Sequence, residues 1–204
     1  MLSLDFVLWE VDTQKDFMLP GGKLYVPGAE KRLPNIRRLT DAARQGKVFL
    51  VSHGCFHAPD DAEFKIFPPH CVRGTDGADL VPEALTPRIV RVPNDAEAML
   101  PGDLSAYQQI LLEKQTLNIF ESRHADALVQ QLGSRPEFVV FGVVTEYCVS
   151  FAAKGLLERG RRVAVVQDAI ETLKPEESEK TMAELNRLGA RVTTTDQALS
   201  VIGF

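Results

Sequence analysis

The 204-residue sequence has few cysteines and no hydrophobic run long enough to span a membrane. Its three cysteines, Cys55, Cys71 and Cys148, are an odd number in a chain this large, so a disulfide framework is not expected. The first apolar run, Phe6–Val11, is too short for a signal peptide and has no basic flank. We therefore predict free thiols, a cytoplasmic location and no membrane contact.

The sequence also lacks a large excess of charge of either sign. It has 23 lysines and arginines against 28 acidic residues, giving a net charge of -5. The basic residues are scattered, whereas nucleic-acid-binding proteins usually concentrate them on one face, so no nucleic-acid partner is expected. The length and a hydrophobic content of 45% predict a single globular domain over residues 1–204.

Short apolar runs alternate with amphipathic stretches along the chain. Gly46, Gly160 and Gly189 each end an amphipathic stretch shortly before an apolar run, as glycines do at helix C-termini. Continuous apolar runs are typical of strands that are buried on both faces of a parallel sheet. The pattern predicts a three-layer α/β/α sandwich. The predicted strands are residues 6–11, 47–52, 107–112, 138–144, 162–167 and 190–194, and the predicted helices are residues 29–45, 125–132, 146–159 and 175–188.

The segment of residues 55–101 is different, because it is rich in proline, glycine and aspartate and has weak periodicity. A long irregular segment inside a compact α/β domain usually has a function. We expect it to lie near the ligand, which in open α/β sheets binds beyond the carboxyl ends of the strands.

Cys148 lies in the sequence GVVTEYCV, where a predicted strand ends at Val144 and a predicted helix follows. Thr145 is then the expected N-cap, which places Cys148 near the third helical position. A helix N-terminus favours a thiolate and offers N–H groups to an oxyanion, which predicts a nucleophile. The alternative is a small buried residue that packs the helix on the sheet.

Two other ionisable residues follow predicted strands. Asp12 comes directly after the first strand, where a desolvated carboxylate can act as a general base; the alternative, a turn-forming aspartate, suits Asp16 better. Lys114 ends the run YQQILLEK and can stabilise a thiolate, although a lysine there is more often a solvated surface residue. Three such residues at one edge of the sheet predict a cysteine hydrolase.

Four segments together resemble the isochorismatase-like superfamily, in its cysteine hydrolase branch. They are DTQKDF from Asp12, the lone Lys114, GVVTEYCV around Cys148, and FPPHCVRGTDGADL at residues 67–80, which is similar to a stretch of nicotinamidases. The resemblance implies a six-stranded, mainly parallel sheet and the catalytic triad Asp12, Lys114 and Cys148. It also implies hydrolysis of nicotinamide or a similar small amide to the acid and ammonia, through a thioester acyl-enzyme.

Further features follow from the resemblance by position. It implies a cis peptide bond at Val143–Val144, which would direct the N–H groups of Val144 and Cys148 at the oxyanion. It implies that Phe17 packs on the substrate ring, although Phe17 can equally be a core residue. Relatives often form dimers or tetramers, so a homo-oligomer is expected.

Nicotinamidases bind a divalent metal through an Asp-x-His pair and a later histidine. Here His57 and His70 match the histidines, and Cys55 replaces the aspartate. A thiolate and two imidazoles form a good ligand set for zinc, and Glu63 is a weaker additional candidate. The alternatives are a closed structural zinc site that also includes His53 and Cys71, or no metal at all.

Other functions remain open from the sequence. Within the superfamily, Cys55 keeps open a hydrolase of another amide, ureide or carbamoyl compound, and isochorismate hydrolysis is disfavoured because that activity is associated with relatives that lack the cysteine nucleophile. Outside it, the chain can be a non-catalytic binding domain. A thiol redox sensor ranks last, because the sequence has no C-x-x-C pair and no resolving cysteine close to Cys148 in the chain.

Overall fold

A computed structural model describes residues 4–204 as helices packed on a sheet of seven strands. All strand pairs are parallel, and the order is β3-β4-β2-β1-β5-β6-β7. The strands are β1 (Phe6–Val11), β2 (Phe49–Cys55), β3 (Ile89–Val92), β4 (Gln109–Lys114), β5 (Glu137–Val143), β6 (Arg162–Glu171) and β7 (Arg191–Thr193). The helices are α1 (Lys15–Met18), α2 (Leu33–Arg44), α3 (Ala125–Leu132), α4 (Ser150–Glu158), α5 (Pro175–Arg187) and α6 (Thr195–Ile202).

The helices cover both faces of the sheet, which confirms the predicted three layers. Side chains alternate along β1, so that Leu8 joins one core and Trp9 joins the other. The core with Leu8 contains Ile36 of α2 and Leu199 of α6. The core with Trp9 contains apolar residues of α3, α4 and α5, namely Leu128, Leu156 and Leu185. In residues 4–204, no helix is long and apolar enough to cross a membrane.

The prediction of six strands was wrong by one. The additional strand, β3, lies in the segment predicted to be irregular and pairs only with β4, at the edge of the sheet. Its sequence, IVRV, has four residues, three of which are partly or largely exposed, so β3 is shorter and less buried than the central strands. Two short helices, α1 and α6, were also not predicted.

The register of the central strands brings their carboxyl ends to one level. Val11, the last residue of β1, pairs with His53 of β2 on one side and with Gly142 of β5 on the other. On β2, Cys55 pairs with Lys114 of β4. The residues that end or follow β1, β2, β4 and β5 therefore share one edge of the sheet.

Glu10 is a fully buried carboxyl group in the middle of this sheet. The Ser52 hydroxyl donates a hydrogen bond of 2.5 Å to Glu10, and the Gln109 side chain donates one of 2.7 Å to Ser52. Burial raises the pKa of Glu10 from 4.5 to about 8, and the Ser52 hydrogen bond only partly offsets this. Glu10 is therefore a neutral hydrogen-bonding group at neutral pH.

Glu10 should make stability depend on pH. Because its pKa is higher in the folded chain, folding takes up a proton between pH 4.5 and about 8, and stability is lost as the pH rises through that window. Glu10→Gln, which keeps the acceptor for Ser52, should be more stable than the wild type above pH 8, by on the order of 5 kcal/mol. Near pH 4.5 the two should be similar. Denaturant unfolding across this pH range measures the difference in unfolding free energy. Glu179→Gln, at an exposed position, is the control. If the unfolding free energies of the wild type and Glu10→Gln change with pH in parallel, the raised pKa of Glu10 is contradicted.

Candidate active site

The three strand-end residues predicted from the sequence meet in the structure. Lys114 Nζ lies 2.9 Å from Asp12 Oδ2 and 3.6 Å from Cys148 Sγ. All three side chains are buried, with Cys148 6% exposed and the other two 1% exposed. Lys114 is thus a fully buried ammonium group, in contact with a carboxylate and a thiol.

Asp12 is held in an unusual backbone conformation directly after β1. Its φ of 50° lies in the left-handed region, which aspartate tolerates better than most residues. Its N–H donates to the carbonyl of His53, 2.9 Å away, so the turn is fixed to β2. Lys114 contacts one carboxylate oxygen of Asp12, and His53 Nδ1 lies 3.6 Å from the other. The carboxylate is therefore oriented from both sides.

Cys148 lies in a π-helical turn, Thr145–Val149, that precedes α4. The peptide bond Val143–Val144 is cis, as the resemblance implied. The prediction of Thr145 as a side-chain N-cap was wrong, because its hydroxyl donates instead to the carbonyl of Glu171 at the end of β6, 2.9 Å away. Tyr147 has non-helical angles of φ -118° and ψ -106°, so the predicted helix over residues 146–159 is interrupted beside Cys148.

The charges in this cluster separate the pKa values of the acid and the thiol. Burial would raise the pKa of Asp12, but Lys114 and then His53 outweigh it and lower the pKa to about 2. Burial, followed by the negative charge of Asp12, holds the pKa of Cys148 well above its usual value despite Lys114. These effects outweigh the expected influence of the helix N-terminus, so Cys148 is not a thiolate in the free protein. The resting pair is an Asp12 carboxylate beside a Cys148 thiol.

Lys114 remains charged although it is fully buried. Burial alone would lower its pKa, but the negative charge of Asp12 outweighs burial and holds the pKa well above its usual value. The cluster at neutral pH therefore contains one ammonium and one carboxylate, which compensate each other.

Cys55 belongs to the same cluster, which the sequence did not indicate. Its Sγ lies 2.9 Å from Lys114 Nζ, closer than Cys148 Sγ. Gln14 fixes the backbone of Cys55 on both sides: its Oε1 accepts from the Cys55 N–H at 2.7 Å, and its Nε2 donates to the Cys55 carbonyl at 2.5 Å. Burial raises the pKa of Cys55 to about 12. Gln14 is therefore a positioning residue that sequence reasoning missed.

Cys55, His57 and His70 come together as the sequence predicted for metal ligands. Each offers one ligand atom, and these atoms lie within 4.8 Å of one another. His70 Nδ1 lies 2.8 Å from the carbonyl of Pro68, and His57 Nδ1 lies 3.0 Å from Asp61 Oδ2. In each ring this leaves Nε2 as the ligand atom, because metal-binding histidines normally donate their other N–H to an oxygen. The donor set therefore fits a divalent metal such as zinc.

The other residues considered as metal ligands do not all join this group. Glu63 Oε2 lies 4.0 Å from His57 Nε2, so it borders the group. In the described part of the chain, the compact group of possible ligands contains Cys55, His57 and His70 but neither His53 nor Cys71. His53 faces Asp12 instead. The alternative of a closed structural site with all five residues is therefore not supported.

A small cavity that opens to solvent lies over Cys148. Its walls are largely apolar, and Phe17 and His70 pack against each other there with ring centroids 5.3 Å apart. Phe17 is thus both a wall of the cavity and a core residue. The lining residues are Asp12, Phe17, Leu24, Val26, Cys55, Glu63, Phe67, His70, Leu117, Val143, Val144, Tyr147, Cys148 and Leu173. Two larger surface depressions contain none of the predicted site residues.

Asp16, interpreted from the sequence as a turn residue, has a structural role beside this cavity. Its carboxylate accepts hydrogen bonds from the N–H groups of Cys71 at 2.7 Å and Lys23 at 3.0 Å. Gly77 packs directly on the Asp16 carboxylate, with no room for a Cβ atom. Asp16 therefore joins the segment after α1 to the segment that carries His70.

Comparison with known proteins agrees with the arrangement of these residues. The isochorismatase domain family matches residues 7–197. A nicotinamidase of Escherichia coli strain K12 is 27% identical over 206 aligned residues, covering 90% of this chain and 92% of that protein. The crystal structure of a pyrazinamidase of Pyrococcus horikoshii in complex with zinc superposes with a TM-score of 0.75, at 25% identity, covering 93% of this chain and 99% of that one.

A structure described as an isochorismatase-like hydrolase from Alkaliphilus metalliredigens has the same fold. It gives a TM-score of 0.78 at 23% identity and covers 97% of this chain and 98% of that one. Most of the described chain is thus matched in both sequence and fold. The chain belongs to the isochorismatase family, as the sequence motifs predicted.

Proposed function

We propose that this enzyme hydrolyses a small neutral amide, of the nicotinamide type, to the acid and ammonia. The observation that carries the proposal is the contact of Lys114 with both Asp12 and Cys148 beneath an apolar cavity. A nucleophile, a base and a fixed cation at hydrogen-bond distance are what covalent amide hydrolysis requires. The similarity to the nicotinamidase and the pyrazinamidase supports the same substrate class.

In the first step, Asp12 acts as the general base. Its carboxylate is ionised over the neutral range, because its pKa is about 2, and it accepts the proton of the Cys148 thiol. Lys114 stabilises the thiolate that forms. The thiolate then attacks the amide carbon, and the N–H groups of Val144 and Cys148 stabilise the oxyanion.

In the second step, the proton on Asp12 is returned to the leaving nitrogen, and ammonia departs from a thioester on Cys148. Asp12 is then a carboxylate again and can accept a proton from water, which attacks the thioester and releases the acid. The raised pKa of Cys148 makes the thiolate a good nucleophile once it is formed, while Lys114 limits the cost of forming it.

The chemistry of the cavity favours a planar amide without charge. Phe17, Phe67 and Tyr147 contribute aromatic surface to its walls. Asp12 and Glu63 are the acidic residues of the lining, and no lysine or arginine is among the described lining residues. A substrate with its own carboxylate would therefore have no cation in the wall to pair with, which disfavours carbamoyl amino acids and ureido acids.

A metal, if bound, would be held by Cys55, His57 and His70, and zinc suits this donor set best. It would supply a Lewis acid that binds and orients a lone pair of the substrate. His70 and Cys55 also line the cavity, so this group would face the substrate directly. The pyrazinamidase that superposes on this chain was crystallised with zinc.

The proposal is tested by an ammonia-release screen with nicotinamide, pyrazinamide, simple ureides and a carbamoyl amino acid. We expect turnover of the neutral ring amides and at least about 10-fold lower kcat/KM for compounds that carry a carboxylate, because they lack a cationic partner in the cavity. Turnover of the carbamoyl acid alone would favour the ureide hydrolase instead. No turnover of any compound would favour a non-catalytic binding domain.

The metal assignment predicts a loss of zinc affinity in ligand variants. Purified protein should bind about one zinc per chain, measured by elemental analysis after dialysis, since each of the three ligands contributes one donor atom. His57→Ala and His70→Ala should each weaken zinc binding by at least about 10-fold. His124→Ala, at the start of α3 and outside the group, is the matched control. Equal zinc binding by all four proteins would exclude this site.

Other expectations from the sequence remain predictions. These are a cytoplasmic location, one domain over residues 1–204, the absence of a nucleic-acid partner, and assembly into a homo-oligomer. Size-exclusion chromatography with light scattering determines the last of them directly.

A further inference from the structure

We propose that Cys55 is a resolving thiol for Cys148, and that the two form an intramolecular disulfide when peroxide oxidises Cys148. A thiol reductant can reverse this disulfide, so the disulfide would protect Cys148 from irreversible oxidation. This inference goes beyond amide hydrolysis and does not depend on which amide is the substrate.

The positions of the two sulfur atoms carry the proposal. Lys114 Nζ lies 2.9 Å from Cys55 Sγ and 3.6 Å from Cys148 Sγ, so the sulfurs are separated by no more than these two distances together. Cys55 ends β2 and Cys148 follows β5, so they are 93 residues apart in sequence but meet at one edge of the sheet. No resolving partner lies close to Cys148 in the sequence, because Cys55 and Cys148 come near the same ammonium only in the folded chain.

Access distinguishes these two thiols from the third. Cys55 and Cys148 both line the cavity that opens to solvent, so a molecule as small as hydrogen peroxide reaches them by the path that a substrate takes. Cys71 has no exposed surface, does not line the cavity, and has its Sγ 4.0 Å from the carbonyl of Gly77. Two of the three cysteines are therefore placed to react, and the third is a natural control.

The first step consumes one hydrogen peroxide. Asp12 accepts the proton of the Cys148 thiol, and the sulfur attacks one peroxide oxygen. The O–O bond breaks, and the second oxygen leaves as water after it takes the proton from Asp12. Cys148 becomes a sulfenic acid. The ammonium of Lys114, close to the sulfur, stabilises the thiolate that reacts.

In the second step Cys55 attacks the sulfenic sulfur. The S–O bond breaks, the S–S bond forms, and the hydroxyl group leaves as water with the proton of the Cys55 thiol. Overall, two thiols are oxidised by two electrons and one peroxide is reduced to two waters. Without a resolving thiol, further peroxide would convert Cys148 irreversibly to a sulfinic acid.

The test follows the protein by intact mass and peptide mapping, so it does not require activity. Wild-type protein, as purified and after treatment with a chelator, is exposed to a few equivalents of hydrogen peroxide, and free thiols are then blocked. The chelator arm frees Cys55 from any bound metal. We expect a mass lower by two hydrogen atoms and a peptide that joins Cys55 to Cys148. A thiol reductant should restore alkylation of Cys148.

Two variants sharpen the result. Cys55→Ser should gain two oxygen atoms at Cys148, and a thiol reductant should not reverse this; Cys71→Ser should form the disulfide like the wild type. A wild-type protein whose Cys148 gains oxygen without losing hydrogen in the chelator arm would overturn the proposal, as would a disulfide that involves Cys71. The wild-type peptide map decides the matter even if Cys55→Ser does not fold. A disulfide in a protein that hydrolyses no amide would contradict the proposed function and leave this inference standing.

Discussion

Replacing Cys148 with alanine should reduce ammonia release from the preferred amide by at least about 10⁴-fold, because no other side chain can form the acyl-enzyme. The other thiol in the cavity, Cys55, accepts a hydrogen bond of 2.9 Å from the Lys114 ammonium. Cys148→Ser should also be strongly impaired, since an alcohol is a far weaker acid than a thiol and Asp12 has a pKa of only about 2. Steady-state ammonia release measures both variants.

The control for this experiment is Cys71→Ala, which removes a buried thiol that does not line the cavity. It should keep most of the wild-type kcat. Thermal unfolding of all three variants separates lost chemistry from lost structure, because a variant that keeps the wild-type stability but loses activity has lost only the chemistry. Wild-type activity in Cys148→Ala would refute the covalent mechanism.

The edge of the sheet that carries this chemistry could be predicted from the sequence. Asp12 and Lys114 each end a short run that is apolar apart from one glutamate, and short apolar runs are typical of strands buried in a parallel sheet. Since parallel strands end at the same edge, the meeting of these residues with Cys148 followed from their positions alone. The three layers followed from the same alternation of strands and helices.

The contacts between strands could not be predicted in the same way. That Cys55 faces Lys114 depends on the register of β2 with β4, whose paired residues are 59 apart in the chain. No local pattern specifies such a register. The edge strand β3 was missed because its run IVRV has only four residues and is interrupted by Arg91, and its pairing with β4 is not visible in the sequence.

Protonation states were also beyond the sequence. The position of Cys148 near the start of a helix favours a thiolate, but that effect is small beside burial. In the structure, burial and the charge of Asp12 dominate and keep the thiol protonated. Helix α6 was not predicted, although Thr194 and Gln197, which form its capping box, have the spacing of a helix start signal.

Asp12→Asn should impair both activity and stability. Ammonia release should fall by about 10³-fold or more, since an amide cannot accept the thiol proton. The substitution also leaves Lys114 as a buried ammonium without its carboxylate, 2.9 Å away in the wild type, which should cost about 3–5 kcal/mol of unfolding free energy. Asparagine is the appropriate replacement, because it also tolerates the left-handed backbone at φ 50°.

A double-mutant cycle separates the two effects of Asp12. Lys114→Met alone should also be destabilised, because it leaves a buried carboxylate unpaired, whereas Asp12→Asn with Lys114→Met removes both charges and should recover much of the lost stability. Activity should not recover, since the base is still absent. Chemical denaturation of the four proteins gives the coupling free energy between the two charges, and ammonia release from the same proteins measures the loss of the base. Additive losses of stability would show that the two charges do not compensate each other, and activity in the double variant would show that Asp12 is not the base.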